Sequence, residues 1–231
     1  MIVTIEGNIG AGKSTLLSLI RENIPCIDGK RVVVLTEKVD EWLGLVDPSS
    51  GKSIFDLFYG DPKQYAYVFQ TYVLLSRVKN LSEVVRDNAD AIVICERGCM
   101  TDCVVFAKSM HDGGMLSDIE WMVYQAWHRA ICETVPIPID GQIYLRATPS
   151  ICFGRVSHRA RQGEDNIAAE YIQDLHDRHD KWLLEGGRPM PTHVLDADAD
   201  LVNDKDARGE AIVRLIDFIR DLMKPMTGMP T

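Results

Sequence analysis

Residues 2–15 read Ile2-Val3-Thr4-Ile5-Glu6-Gly7-Asn8-Ile9-Gly10-Ala11-Gly12-Lys13-Ser14-Thr15, and this stretch decides the fold. Ile2 to Glu6 is a short apolar run that ends in glycine, the pattern of a buried strand. Gly7 to Gly12 is a glycine-rich loop. Lys13 to Glu22 predicts a helix with Leu16, Leu17, Leu19 and Ile20 on its apolar side. Residues 7–14 match G-x-x-x-x-G-K-[ST], set between a strand and a helix as the phosphate-binding version of that pattern requires. Glycines let backbone N–H groups turn inward around phosphate oxygens, and the helix start adds the positive end of its dipole. Lys13 reaches the β- and γ-phosphates, and the Ser14 hydroxyl can ligate Mg²⁺. A nucleoside triphosphate with Mg²⁺ is therefore expected on Gly7, Asn8, Ile9, Gly10, Ala11, Gly12, Lys13, Ser14 and Thr15.

Outward from this stretch, further continuous apolar runs recur at Arg31–Thr36, Ala91–Cys95, Gln142–Leu145 and His193–Leu195. Such runs, separated by long helical stretches, indicate an α/β fold with a parallel sheet covered on both faces. Asp61-Pro62 opens a helix expected to reach about Arg86, and Thr148-Pro149 opens another. Asn166–Leu184 and Asp206–Met223 predict two more helices. Asp118–Ile131 is apolar and aromatic on several sides and is expected to be buried, with a partner chain as one possible cover. There is no internal repeat, low-complexity segment or linker, so residues 1–231 are expected to form one domain with a loose tail from about residue 225.

The chain has 231 residues, 46% hydrophobic and 26% charged, which excludes a disordered or fibrous protein. Its formal net charge of -9 argues against a general nucleic-acid or membrane-surface binder. The cysteines at 26, 95, 99, 103, 132 and 152 form neither a C-x-x-C pair nor a zinc-ligand set, so reduced thiols are expected. No targeting segment precedes the first strand, and a cytoplasmic location is the expectation.

Charged residues stand just past two strand ends, where open α/β sheets place ligands. Glu37 follows one, and Glu96-Arg97 follows another. A carboxylate there can take a proton from an attacking hydroxyl, and an arginine can hold developing phosphoryl charge. Gln70, Val73 and Arg77 share one helical stripe, and Gln70 offers both a donor and an acceptor to a base edge.

Several segments occur in a recognisable order: residues 6–15, Thr36-Glu37-Lys38-Val39-Asp40-Glu41-Trp42, residues 59–72, Glu96-Arg97-Gly98, and the arginine-rich stretch from Arg155 to Arg161. Together they resemble the deoxyribonucleoside kinases of the deoxycytidine, deoxyguanosine and insect multisubstrate type, over residues 2 to about 201. The resemblance implies a three-layer P-loop kinase fold. Its parallel sheet would have five strands with helices on both faces, and an arginine-rich lid would span about 155–167. It also implies ATP- and Mg²⁺-dependent phosphorylation of the 5′-hydroxyl of deoxynucleosides by a homodimer.

By position, Glu37 resembles the general base and Arg97 the arginine that bridges the 5′-oxygen and the phosphate. Glu96 resembles the acidic partner near Mg²⁺, beside Ser14. Tyr59 and Glu164 match the pair on the sugar 3′-hydroxyl, and Gln70 matches the base-reading glutamine. Trp42, Phe69 and Val73 match pocket residues, with Phe106 as a stacking partner. Arg155, Arg159 and Arg161 match lid arginines, and Asp200 and Leu201 fall on the ATP side.

Arg77 and Asp102 match an arginine and an aspartate of the deoxycytidine and deoxyguanosine kinases. They would crowd a thymine methyl and favour an amino-bearing edge, so deoxycytidine and purine deoxynucleosides are expected over thymidine. Three positions depart from the family pattern: Lys38 stands for a proline, Gly98 for a serine and Cys103 for an arginine. Rival readings are a thymidine-preferring nucleoside kinase, a nucleoside monophosphate or thymidylate kinase, and an inactive nucleotide-binding regulatory subunit. Tyr59 and Gln70 suit a neutral nucleoside better than a phosphorylated acceptor, and intact Lys13, Glu37 and Arg97 oppose inactivity.

Overall fold

The computed structural model describes residues 1–159, 167–186 and 190–224. Arg161, Glu164, most of the arginine-rich lid and the tail from residue 225 lie outside the described residues. In chain order the elements begin β1 (Ile2–Glu6), α1 (Lys13–Asn23), β2 (Cys26–Ile27), β3 (Lys30–Leu35), α2 (Val39–Gly44), α3 (Ile54–Gly60), α4 (Pro62–Asp87) and β4 (Ile92–Glu96). They continue with α5 (Cys99–Thr101), a π-helical turn (Asp102–Ala107), α6 (Lys108–Asp112), α7 (Asp118–Thr134), β5 (Gly141–Arg146) and α8 (Pro149–Arg159). After α9 (Ala169–Asp180) and a second π-helical turn (Lys181–Glu185) come β6 (Thr192–Asp196) and α10 (Lys205–Met223).

The sheet order is β2-β3-β4-β1-β5-β6. The five strands expected from the apolar runs pair in parallel, with Val33 opposite Val93, Val3 opposite Ile94 and Ile5 opposite Ile143. The sheet departs from the five-stranded expectation by one element: the two-residue β2, antiparallel to β3 at the edge. Two residues are too few to leave a periodic signal in the sequence.

Alternation along the strands sorts the core into two layers. Val3, Ile5, Ile92, Ile94 and Ile143 pack with Leu16, Leu17 and Ile20 of α1 and Leu215 and Ile219 of α10. Ile2, Val93 and Cys95 turn the other way, against Leu81, Val84 and Val85 of α4. Helices thus cover both faces, as parallel strands require.

α4 is the longest helix, and Asp61 caps it by accepting from the Gln64 N–H at 3.2 Å. At about 1.5 Å per residue it runs roughly 40 Å, enough to brace the sheet at one end and wall the site with Phe69, Gln70, Val73 and Arg77 at the other. α7 is covered by its own chain only in part. Only Tyr124 is buried, while Ile119, Met122 and Trp127 are 65%, 63% and 53% exposed. A helix apolar on several sides has more apolar surface than one neighbouring core can cover. Among the described residues, no helix is long and apolar enough to cross a membrane.

Candidate active site

The chain runs from β1 out to β3, back to β4, and then to β5 and β6 on the far side. The loops after β1, β3 and β4 therefore converge at one end of the sheet, around the strand-order reversal where such folds bind ligands. They open into a cavity of about 1250 Å³.

One half of the cavity is built by the glycine loop. Gly10 sits at φ 79, and a Cβ there would lie 2.4 Å from the Cys152 carbonyl oxygen, so only glycine fits. Gly12, at φ 95, forms the N-cap of α1 and leaves the helix start open to an anion. Lys13 Nζ donates to the Asn8 carbonyl at 2.7 Å and lies 4.0 Å from Glu96 Oε1. Burial and the neighbouring Arg97 charge pull the Lys13 ammonium down to about 7, against the opposing pull of Glu96 and Glu37. Ser14 Oγ donates to both Glu96 oxygens at 3.2 and 3.3 Å. These hard oxygens suit Mg²⁺, which takes few protein ligands and completes its shell with phosphates and water. Among the described residues no group of three or more His, Cys, Asp or Glu could hold a metal by itself.

At the middle of the cavity stands a charge cluster. Arg97 Nη1 donates to Glu37 Oε1 at 3.1 Å and Oε2 at 3.3 Å, and Arg77 Nη2 donates to Oε1 at 2.8 Å. Arg77 also meets Asp102 through Nε at 2.7 Å and Nη2 at 3.2 Å, and donates to the Glu96 carbonyl at 2.9 Å. Burial alone would push the Glu37 carboxyl up, but the Arg97 and Arg77 guanidiniums hold it at about 2. Burial opposes the Arg77 charge, and Asp102 and Glu37 outweigh it. Glu37 is thus fixed by two guanidiniums, so the Lys38-for-proline departure does not leave it unsupported.

The other half of the cavity is aromatic. Phe58 stacks on Phe69 with centroids 4.5 Å apart, Trp42 meets Phe69 edge-on, and Trp42 Nε1 donates to Ser76 Oγ at 3.0 Å. Phe106 lies on the π-helical turn beneath the Arg97 guanidinium, 4.8 Å from centroid to Cζ. Gln70 is buried in this wall, and its Oε1 has no hydrogen-bond partner. A buried acceptor left unpaired points to a ligand group that completes it.

Of the candidates from sequence, Glu37, Trp42, Tyr59, Phe69, Gln70, Val73, Arg77, Glu96, Arg97, Asp102 and Phe106 line this one cavity. So do Ile9 through Thr15, Arg155, Arg159, Asp200 and Leu201. Gly7 and Asn8 do not. Asn8 turns away, donating to the Ile172 carbonyl at 2.8 Å and accepting from the Ile9 N–H, so it shapes the loop and ties it to α9. Arg155 donates to the carbonyls of Ala197, Asp198 and Ala199, bracing the segment that carries Asp200 and Leu201. Sequence reasoning missed Phe55, Phe58, Met110 and Tyr171, which also line the cavity. The first two ride on α3, and the Ser53–Asp56 capping box that starts it is a readable signal.

A phosphate loop, an ion-paired carboxylate and arginine at neighbouring strand ends, and an aromatic pocket with an unpaired amide oxygen define a nucleotide-dependent phosphotransferase. The family model of deoxynucleoside kinases matches residues 3–220. Curated relatives include a probable deoxycytidine kinase of fowlpox virus, 34% identical over 223 residues, covering 95% of this chain and 88% of its own. Deoxycytidine kinase 2 of Gallus gallus is 33% identical over 242 residues, covering 94% and 89%. The mitochondrial deoxyguanosine kinase of Xenopus laevis is 32% identical over 243 residues, covering 95% and 90%. The chain belongs to the deoxynucleoside kinase family. It is therefore a kinase that draws its phosphoryl group from a nucleotide donor.

Proposed function

We propose that the protein transfers the γ-phosphoryl group of ATP·Mg²⁺ to the 5′-hydroxyl of deoxycytidine and purine deoxynucleosides. The observation that carries this reading is the buried, unpaired Gln70 amide oxygen in the aromatic half of a cavity whose other half is the phosphate loop. The triphosphate lies along Gly10 to Thr15, with Ser14 and Glu96 on Mg²⁺. The metal supplies charge neutralisation at the phosphates. Glu37 takes the 5′-hydroxyl proton, and Lys13 and Arg97 spread the charge that develops on the moving phosphoryl group. Arg155 and Arg159 face the same cavity from α8.

Glu37 held at about 2 is a weak base while both guanidiniums grip it. Transfer of Arg97 to the phosphate loosens one of them and readies the carboxylate. Both arginines of the nucleoside half already face carboxylates, Glu37 and Asp102. That disfavours an acceptor carrying its own phosphate. The Asp102 carboxylate, gripped by Arg77, suits an exocyclic amino group and leaves little room for a thymine methyl. The names of the relatives agree with this preference.

A homodimer is supported by α4 and α7. Val68 and Leu75 of the first, and Ile119, Met122 and Trp127 of the second, are exposed apolar side chains that a second copy would bury in a two-fold interface. Six unpaired cysteines support a cytoplasmic location.

Radiolabelled turnover of the four deoxynucleosides with ATP·Mg²⁺ tests the assignment. Deoxycytidine and a purine deoxynucleoside should give higher kcat/KM than thymidine. A thymidine preference would overturn the base assignment, and no 5′-monophosphate from any of the four would overturn the activity.

A further inference from the structure

One buried carboxylate takes no part in the mechanism above. Glu6, the last residue of β1, is 1% exposed, and its partners are a backbone N–H and a hydroxyl. Its Oε1 accepts from the Gly98 N–H at 3.0 Å and its Oε2 accepts from Thr101 Oγ1 at 2.5 Å. Burial pushes this carboxyl up, and the Thr101 and Thr4 hydroxyls, the Gly98 N–H and the Arg97 charge oppose that. A buried acid held this way carries a cost that an apolar residue would avoid.

The segment it grips explains the placement. Arg97 has φ 61, the left-handed region that a residue with a Cβ holds only when its surroundings fix it. Three bonds dock this turn on the end of β1: Arg97 N–H to the Ile5 carbonyl at 3.1 Å, and the two to Glu6. The first is available to any residue at position 6. The other two require a side chain there with an acceptor for the Gly98 N–H and a second polar atom for the Thr101 hydroxyl. The left-handed turn throws the Arg97 guanidinium back toward Glu37 and the Gly7 carbonyl, 3.4 Å from Nη2.

We propose that Glu6 is a positioning residue for phosphoryl transfer, clamping the Arg97-Gly98 turn in its left-handed form and so aiming the Arg97 guanidinium. It rests on the role given to Arg97 under the proposed function. A guanidinium displaced by about 1 Å loses on the order of 100-fold in rate.

The test is a double-mutant cycle of Glu6→Ala and Arg97→Met, read by single-turnover phosphorylation of deoxycytidine, with Mg·ATP affinity measured by calorimetry. Glu6→Ala should lower the rate about 100-fold while Mg·ATP affinity stays within about threefold, because the phosphate loop keeps its own contacts. In the Arg97→Met background the same change should cost less than about threefold, since no guanidinium remains to aim. Glu6→Gln still offers an oxygen to Gly98 and an amide to Thr101, and should recover the rate to within about fivefold. If Glu6→Ala does not fold, Thr101→Val takes its place, with a loss of about tenfold that again vanishes with Arg97→Met. Losses that multiply in the double variant, a matching loss of ATP affinity, or no recovery by Glu6→Gln would overturn the role of Glu6 alone. A rate unchanged by Arg97→Met would overturn it together with the role of Arg97.

Discussion

Replacing Glu37 by glutamine removes a charge and leaves the shape, and its cost follows from the pair of guanidiniums around it. A carboxyl held at about 2 rather than its ordinary 4.5 contributes about 3 kcal/mol to folding at neutral pH. Glutamine keeps one oxygen acceptor, so the loss expected for Glu37→Gln is about 2–3 kcal/mol, or roughly 5–10 °C in Tm for a chain of this size. The folded-state value lies below the unfolded one. The contribution is therefore complete above the unfolded value of 4.5 and is lost as pH falls through about 2. The gap between wild type and variant should then shrink on acidification, by about 1.4 kcal/mol, roughly half of it, at a pH near 3.5. Urea midpoints for both proteins at neutral and acid pH, with unchanged m-values, give the two gaps. In the same samples turnover should fall by about 10²–10⁴ while Mg·ATP still binds. A gap that is absent at neutral pH, or that widens on acidification, would refute the claim that Glu37 is a buried, paired carboxylate. Unchanged turnover would remove it as the proton acceptor.

Further outcomes follow from the same geometry. Lys13 at about 7 is partly neutral in the free protein, so triphosphate binding should recharge it. Calorimetry in buffers of different ionisation enthalpy should show proton uptake near pH 8 that fades toward pH 6, and no uptake at pH 8 would contradict the burial of that ammonium. Gln70→Leu removes the unpaired oxygen and should lower kcat/KM for deoxycytidine about 10²-fold with ATP affinity unchanged; an equal loss of ATP affinity would place the glutamine elsewhere. Arg77→Met with Asp102→Ala clears the charged pair from the base pocket and should raise the ratio of thymidine to deoxycytidine kcat/KM by at least about tenfold; an unchanged ratio would show that the pair does not read the base. Gly10→Ala drives a Cβ to 2.4 Å from a backbone oxygen and should abolish detectable Mg·ATP binding; retained binding would contradict the loop geometry.

The central parallel strands were legible because both their faces are buried, and burial on both faces writes a continuous apolar run such as Ala91–Cys95. Helices α3 and α5–α6 leave no helical period, because seven residues, or three interrupted by a π-helical turn, hold too few repeats, and α3 shows only in its Ser53–Asp56 capping box. For α7 the sequence reports that apolar residues sit on several sides but not whether the cover is the same chain. In the site, Glu37 and Arg97 stood out as charges at strand ends, and Gln70 and Arg77 as one helical stripe. Their pairing was not legible, since Arg77 and Glu37 lie 40 residues apart and meet only when α4 crosses the end of β3. Glu6 was passed over because it reads as the last residue of the strand that opens the glycine loop, and its partners, Gly98 and Thr101, lie more than 90 residues away.

The most direct test of the central claim is the position of the product's new phosphate. Phosphorus NMR of the product from deoxycytidine and ATP·Mg²⁺ should show a phosphomonoester on the 5′-oxygen, formed one for one with ADP. ADP without a nucleoside phosphate, or a product formed only when deoxycytidine monophosphate is the acceptor, would contradict it.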